Sequence, residues 1–251
     1  MAARTDMAVE SGNVSFQYDW DKKVQGMIYR KLFVDDDLAK RLKKGKGIYY
    51  NIDQVDYLYK QKPATKLLMT AIQDCLSDLK LEENSDILIC GLGNDSVTPD
   101  ALGPLVINKI EVNRHRSDTA FRFTTSAMCP GVMGQTGMES SEIIKAVVDD
   151  FKPRLVIVVD ALACNDPARM CHSIQLSTAG INPGSGVGNK RKEISKKTLG
   201  VDVLAIGVPT VSDIDAFVDV ENNFFVTPKD IDLAMDILSQ IIAQALNRAL
   251  N

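Results

Sequence analysis

The sequence predicts an α/β domain: a doubly wound, mostly parallel sheet with helices on both faces. Two observations carry this. LVIVVDAL, residues 155–162, is a run of Leu and β-branched residues with little alternation. Such strands are buried on both faces, as in parallel sheets. From residue 86 onward, short apolar runs of this kind alternate with segments of helical period, which is how a parallel sheet with crossover helices is written. A chain of 251 residues, 45% hydrophobic and 25% charged, suits one such domain with a real core.

The elements follow in order. Residues 1 to about 12 are small, polar and unpatterned, and are expected to be flexible. NVSFQY (13–18) and MIYRKLFV (27–34) have strand composition. KRLKKGKG (40–47) reads as a charged, solvated turn. ATKLLMTAIQDCLSDLK (64–80) carries apolar residues at helical spacing. DILICGL (86–92) is a buried strand, and DALGPLVINKIEV (100–112) a helix with Pro in its first turns. FRFTTSA (121–127), HSIQLS (172–177) and VDVLAIGVP (201–209) are strands; SSEIIKAVVDDF (140–151) is a helix. IDLAMDILSQIIAQALNRALN (231–251) is a long amphipathic closing helix.

Bulk properties narrow the function. A net charge of −4 argues against a nucleic-acid-binding body. The N-terminus has no apolar signal core, and no apolar run is long enough to span a bilayer. The five cysteines are scattered and form no CxxC pair, so neither a zinc site nor a disulfide framework is indicated, and a reducing cytoplasm is the simplest setting.

Ligands of open α/β sheets bind beyond the C-terminal strand ends. Three segments fall there: GLGNDSVTPD (91–100), Asp160, and TAGINPGSGVGNKRKE (178–193). The first begins like a dinucleotide fingerprint but has Ser96 where the third Gly belongs. The last lacks the Gly-Lys-Ser/Thr of a phosphate loop, since Lys190 lies between Asn189 and Arg191. What remains is a Gly-rich turn followed by basic residues, either a surface turn or backbone able to approach a peptide closely.

By itself, Thr98-Pro99-Asp100 is helix-start chemistry, with Thr98 as N-cap. Asp160 follows five apolar residues and needs a partner or a raised pKa. Together the two acids would lie at one sheet edge on neighbouring strands. Close carboxylates cannot both ionise easily, so one keeps a proton, and such a pair serves as base toward water and acid toward a carbonyl. His115 and His172 have no metal-spaced partner. A Cys–His pair of Cys164 or Cys171 with His172 is the competing nucleophile, but adjacent strand residues face opposite ways and buried, inert Cys is the simpler reading.

GLGNDSVTPDALGPLV, PGVMGQTGMESSEII, VIVVDALA, GINPGSGVGNKRKEIS and GVDVLAIGVPTV together closely resemble the spore germination protease family. The resemblance runs from about Asp86 to Val211 and resumes at NFFVTPKDID (223–232). It implies an atypical aspartic endopeptidase that degrades small acid-soluble spore proteins, with the fold of hydrogenase maturation proteases and a phosphorylase-like architecture. By motif, its catalytic aspartates fall on Asp100 and Asp160. The Gly-rich loop, with Gly184, Gly186, Gly188, Asn189, Lys190 and Arg191, is expected to shape the substrate cleft or hold an acidic substrate side chain. No cofactor or metal is expected, because the histidine that completes the nickel site of the maturation proteases has no match. The resemblance also implies a zymogen. Arg4-Thr5-Asp6-Met7-Ala8-Val9-Glu10 is similar to the family's substrate site, with a cut expected between Met7 and Ala8. That divides the chain into a pro-segment, 1–7, and one peptidase domain, 8–251. Expected partners are the spore proteins and further copies of the chain, a tetramer in the family, with no direct contact to nucleic acid or membrane; the expected location is the forespore and spore-core cytoplasm. The chain departs from the family in length: the stretch between GVPTV and NFFVTPKD is short here, and the segment before GLGN looks trimmed. Two other readings remain: a metal-dependent processing peptidase of the hydrogenase-maturation type, and a shortened homologue that binds without cutting.

Overall fold

The computed structural model describes residues 5–10, 16–116, 121–188, 191–214 and 224–251. A hairpin comes first: β1 (Trp20–Val24) and β2 (Met27–Val34) pair antiparallel. MIYRKLFV therefore forms the strand its composition predicts. Of NVSFQY, Phe16–Tyr18 are described and are not in a strand; β1 lies just beyond, where alternating exposed charge had hidden it. Helix α1 (Asp36–Leu42) is capped by Asp35, whose side chain accepts from Leu38 N–H at 2.8 Å. It absorbs the first half of KRLKKGKG. Lys44 also departs from the solvated-turn expectation: burial lowers its pKa, and its ammonium donates to Thr5 O at 2.8 Å.

Next come β3 (Gly47–Asp53) and α2 (Gln61–Asp78), then β4 (Asp86–Gly91), α3 (Leu102–Ile107) and β5 (Thr124–Met128). The short α4 (Met133–Thr136) and α5 (Ser140–Phe151) lead into β6 (Leu155–Cys164) and β7 (Ser173–Ser177). The chain closes with α6 (Lys196–Leu199), β8 (Asp202–Asp213), β9 (Phe225–Val226) and α7 (Ile231–Leu250).

One sheet results, in the order β1-β2-β3-β7-β8-β6-β4-β5, with β9 on β8. The ladders β5-β4, β4-β6 and β6-β8 are parallel. Those from β8 through β7, β3 and β2 to β1 are antiparallel. The α/β class holds, and the parallel expectation holds for the block that contains β4 and β6; the other half makes the sheet mixed.

Helices cover both faces. Ile87, Ile89, Leu155, Ile157 and Val159 pack toward α2, α3 and α7. Leu88, Cys90, Val156 and Val158 pack toward α5 and α6. This double burial is why the two strands read as unbroken apolar runs.

Glycines let α3 lie against β4. A Cβ on Gly103 would sit 2.2 Å from Leu92 O and 2.4 Å from Leu92 N. One on Gly91 would sit 2.4 Å from Gly103 O. Both obstacles are backbone, so the turn that carries Asp100 would have to move. Gly103→Ala is therefore expected to destabilise the chain by about 1–3 kcal/mol or more, read as a lower urea midpoint at unchanged slope.

Candidate functional site

β4 ends at Gly91, and Leu92 N–H donates to Val159 O at 2.8 Å, holding the strand end against β6. After Gly93, at φ +107°, the chain makes a single 3-10 turn, Thr98–Asp100. Val97, not Thr98, flanks this turn, and no side chain caps it. Polar contacts hold it from both sides. Thr210 Oγ1 on β8 donates to Pro99 O at 2.7 Å, and Thr227 Oγ1 donates to Thr210 O at 2.8 Å. Asn94 Oδ1 accepts from Ser96 N–H at 3.0 Å and from Gln135 Nε2 at 2.9 Å.

Asp100 is half-buried, and its Oδ2 accepts the Asn94 N–H at 2.8 Å. Burial raises its pKa, while the Asn94 N–H and the Arg191 charge pull it back down. Asp160 lies on β6, one residue past the point where β4 stops, opposite Gly207 of β8. It does not end its strand, as the apolar run suggested: β6 continues to Cys164. Asp160 is 5% exposed, and the Ala161 N–H at 3.0 Å is the protein hydrogen bond recorded for its carboxyl. Burial pushes its pKa well above the ordinary carboxylate range; the charges of Asp100 and then Asp6 push it further. The two environments set an order. Asp100 ionises first, and Asp160 keeps the proton.

The pair opens on a cleft of about 430 Å³, whose lining includes Val132, Met133, Glu139, Gly184 and Arg191. A second hollow of about 430 Å³ lies across the Gly-rich turn, toward Lys44 and Gln175. Asp6 lines both.

Residues 5–10 therefore do not behave as the flexible end their composition suggests. Asp6 N–H donates to Ala163 O, and Ala163 N–H to Asp6 Oδ2, each at 2.9 Å. Asp6 Oδ1 accepts from Ser185 Oγ at 2.5 Å and from Gly186 N–H at 2.7 Å. Met7 is fully buried against Leu162 and Cys164. Ala8 is fully buried with Leu32, Val34 and Tyr49, and its N–H donates to Gln175 Oε1 at 2.8 Å. A strip of own chain thus lies over the β2-β3-β7 side of the sheet and passes beside the aspartates.

The Gly-rich loop divides on inspection. Gly184, at φ +69°, lines the cleft. Gly186 supplies an N–H to Asp6, and a Cβ there would come within 2.5 Å of the Asp6 carboxylate. Arg191 lines the cleft and acts on Asp100, with Glu139 at 4.0 Å. Gly188 sits in the turn at φ +82°, with nothing among the described residues close to where a Cβ would lie. Asn189 and Lys190 lie outside the described residues. Ser185, Ala163 and Gln175 were missed by sequence reading; their work is done by backbone groups or by side chains with no distinguishing pattern.

The competing nucleophiles lose ground. Burial raises the Cys164 and Cys171 thiols to about 12, so neither is a ready thiolate. His172 Nδ1 lies 2.7 Å from Val55 O and its ring against Tyr57, a structural placement. His115 is exposed.

Two carboxyls, one in the turn that follows β4 and one within β6, face one cleft, and a segment of the chain's own N-terminal region is held beside them. A sequence profile of germination proteases matches residues 4–220, a span that includes Asp6, Asp100, Asp160 and the Gly-rich loop. The germination protease of Clostridium perfringens (strain SM101) is 34% identical over 98% of this chain and 94% of its own length. That of Oceanobacillus iheyensis is 40% identical over 84% of this chain and 64% of its own. That of Caldanaerobacter subterraneus is 35% identical over 100% of this chain and 94% of its own. The chain belongs to the germination protease family and is a protease. The first alignment spans 309 positions, more than the 251 residues here, so this chain is shorter than that relative across the shared region. Among solved structures, a [NiFe] hydrogenase maturation protease, HycI from Thermococcus kodakarensis KOD1, matches with a TM-score of 0.39 at 22% identity, over 68% of this chain and 98% of its own.

The raised pKa of Asp160 has a thermodynamic sign. Below the unfolded carboxyl pKa the group is neutral in both states and carries no penalty. As pH rises past that value, the unfolded chain gains by ionising and the folded chain does not, so stability falls until the folded pKa is reached. Asp160→Asn removes this loss. Its melting temperature should match wild type near pH 4 and exceed it at pH 8, by roughly 2–4 °C for each kcal/mol relieved.

Proposed function

We propose that the chain is an aspartic-type endopeptidase, made as a zymogen, that cleaves small acid-soluble, DNA-binding spore proteins during germination. The observation that supports this most is the asymmetric carboxyl pair. Ionised Asp100 takes a proton from water as the oxygen attacks the peptide carbonyl carbon. Asp160 gives its proton to the carbonyl oxygen. When the C–N bond breaks, the proton held by Asp100 passes to the leaving amine, and the oxygen returns its proton to Asp160 as the carbonyl reforms. The rate should therefore be bell-shaped in pH, rising as Asp100 ionises and falling as Asp160 loses its proton.

The strip at residues 5–10 supports the zymogen part. It lies where a substrate would lie, with an acidic side chain held by Ser185, Gly186 and Ala163. Arg191 stays at the cleft wall near Glu139, while Lys190 lies outside the described residues. The expected Met7–Ala8 cut lies within this strip, and we infer a neighbouring bond as the alternative. Asp6 is in the cleft with both aspartates, whereas Ala8 is packed under α1 away from it. Cleavage between Asp6 and Met7, one bond before the Met7–Ala8 bond first expected, fits that arrangement. The pro-segment would then be residues 1–6. The remainder would act as one peptidase domain in the spore-core cytoplasm, as a homo-oligomer, without direct contact to nucleic acid or membrane. No helix of the described residues is long and apolar enough to cross a membrane.

Mass spectrometry of wild type, Asp100→Asn and Asp160→Asn, each incubated with a small acid-soluble spore protein, tests this reading. Wild type should lose residues 1–6 and cut the substrate with or without chelator; each variant should do both about 10²–10⁴-fold more slowly. Loss of activity to chelator would favour the metal-dependent peptidase, and binding without cutting would favour the inactive homologue.

A further inference from the structure

GVPTV, residues 207–211, runs through the middle of the site, and β8 carries a bulge there. Leu162 of β6 lies opposite Pro209, and the next residue, Ala163, lies opposite Val211. Thr210 is therefore one residue more than β6 can match. The ladder from β8 to β7 has ended by then, at Gly207, and the ladder to β9 begins only at Ser212. Pro209 suits the break, because it has no N–H to give to a ladder. Its carbonyl accepts from Cys171 N–H at 2.7 Å.

A bulge bends its strand and re-aims the extra side chain. Here the extra residue is 1% exposed, and its hydroxyl donates out of the sheet to Pro99 O at 2.7 Å. Pro99 is the residue before Asp100. The carbonyl of Thr210 is held in turn by Thr227 Oγ1 at 2.8 Å, just past β9. The contacts thus run from Thr227 through Thr210 and Pro99 to Asp100, and all four residues line the cleft that Asp160 shares. The turn needs such a tie. Thr98–Asp100 is a single 3-10 turn with no side-chain cap of its own. Gly91 and Gly103 let α3 approach β4, but they do not fix where Asp100 stands relative to β6. A donor set in β8, the strand paired with β6, fastens the turn to the frame that carries Asp160.

We propose that the Pro209–Thr210 bulge sets Asp100 against Asp160, with Thr210 as the positioning residue and Thr227 as its support. Thr210 acts through the Pro99 carbonyl and takes no part in proton transfer. The inference rests on the reading of Asp100 and Asp160 as the catalytic pair. It adds how their relative placement is held.

Two measurements test it. The first needs no catalysis: hydrogen exchange in the full chain for wild type, Thr210→Val and Thr210→Ser. Valine keeps the shape and removes the donor, whereas serine keeps the donor. Thr210→Val should speed exchange about tenfold or more at the Asp100 amide and at the Asn94 amide, which donates to Asp100 Oδ2. Thr210→Ser should stay within about twofold of wild type. Unchanged Ile157 and Val158 amides on β6 show that the fold is intact. Valine that exchanges like wild type, or serine that exchanges like valine, overturns the proposal. Thr227→Val repeats the test without a change inside the bulge: the same two amides should exchange about three- to tenfold faster, and no change there overturns the proposal as well. The second measurement is steady-state cleavage of a small acid-soluble spore protein. Thr210→Val should lower kcat about 10–100-fold with KM within about twofold, and Thr210→Ser should recover most of the loss. Thr227→Val should lower kcat in the wild-type background and add little to Thr210→Val, because both act on one contact. A raised KM at unchanged kcat, or equal losses with valine and serine, overturns the positioning role. If wild type cuts nothing, the proteolytic reading fails, and the exchange result alone decides whether the bulge holds the turn.

Discussion

The site depends on one buried carboxyl that, among the described residues, has no counter-charge in contact with it. Asp160 sits within β6, where its carboxyl accepts one backbone N–H among the described residues and two other acids are near enough to raise its pKa. A charged group there would be expensive, so burial favours the protonated form of Asp160. Everything around it keeps Asp100 the better anion: the Asn94 N–H, the Arg191 charge and a more open position. The parallel ladder between β4 and β6 brings the two acids together, and the Gly91–Gly103 contact sets how closely the second one approaches.

The N-terminal strip uses the same sheet for a different purpose. The parallel block supplies the aspartates, and the antiparallel extension supplies the bed on which residues 5–10 lie. Where the two meet, beyond the end of β4, Ala163 of β6 exchanges hydrogen bonds with Asp6. Backbone hydrogen bonds and the groups around the Asp6 carboxylate together hold the strip in place there.

Much of this was legible in the sequence. The two central strands were readable because double burial removes alternation. MIYRKLFV and SSEIIKAVVDDF matched their elements end to end. Asp100 and Asp160 could be paired because each lies beyond an apolar strand or within one at the same edge of the sheet, and the structure brings them to one cleft. Less could be read where backbone does the work. The Gly-rich loop marked Gly186 as backbone able to approach a ligand, but nothing in the letters of Ser185 or Ala163 marks them as part of a carboxylate site. Thr98 looked like a helix cap and is not one, because the turn is fastened by Thr210, more than a hundred positions away in sequence. KRLKKGKG looked solvated, yet Lys44 is pulled inward by a carbonyl of the N-terminal strip. The strip itself looked flexible because its packing partners are all distant in sequence.

The central claim is that one proton resides on Asp160 at neutral pH while Asp100 is ionised. Infrared difference spectroscopy of wild type against Asp160→Asn at pH 7, in H₂O and D₂O, measures this directly. The account predicts a protonated carboxyl C=O band in wild type that shifts in D₂O and is missing from the variant. A wild-type spectrum with carboxylate bands alone at that pH would contradict it.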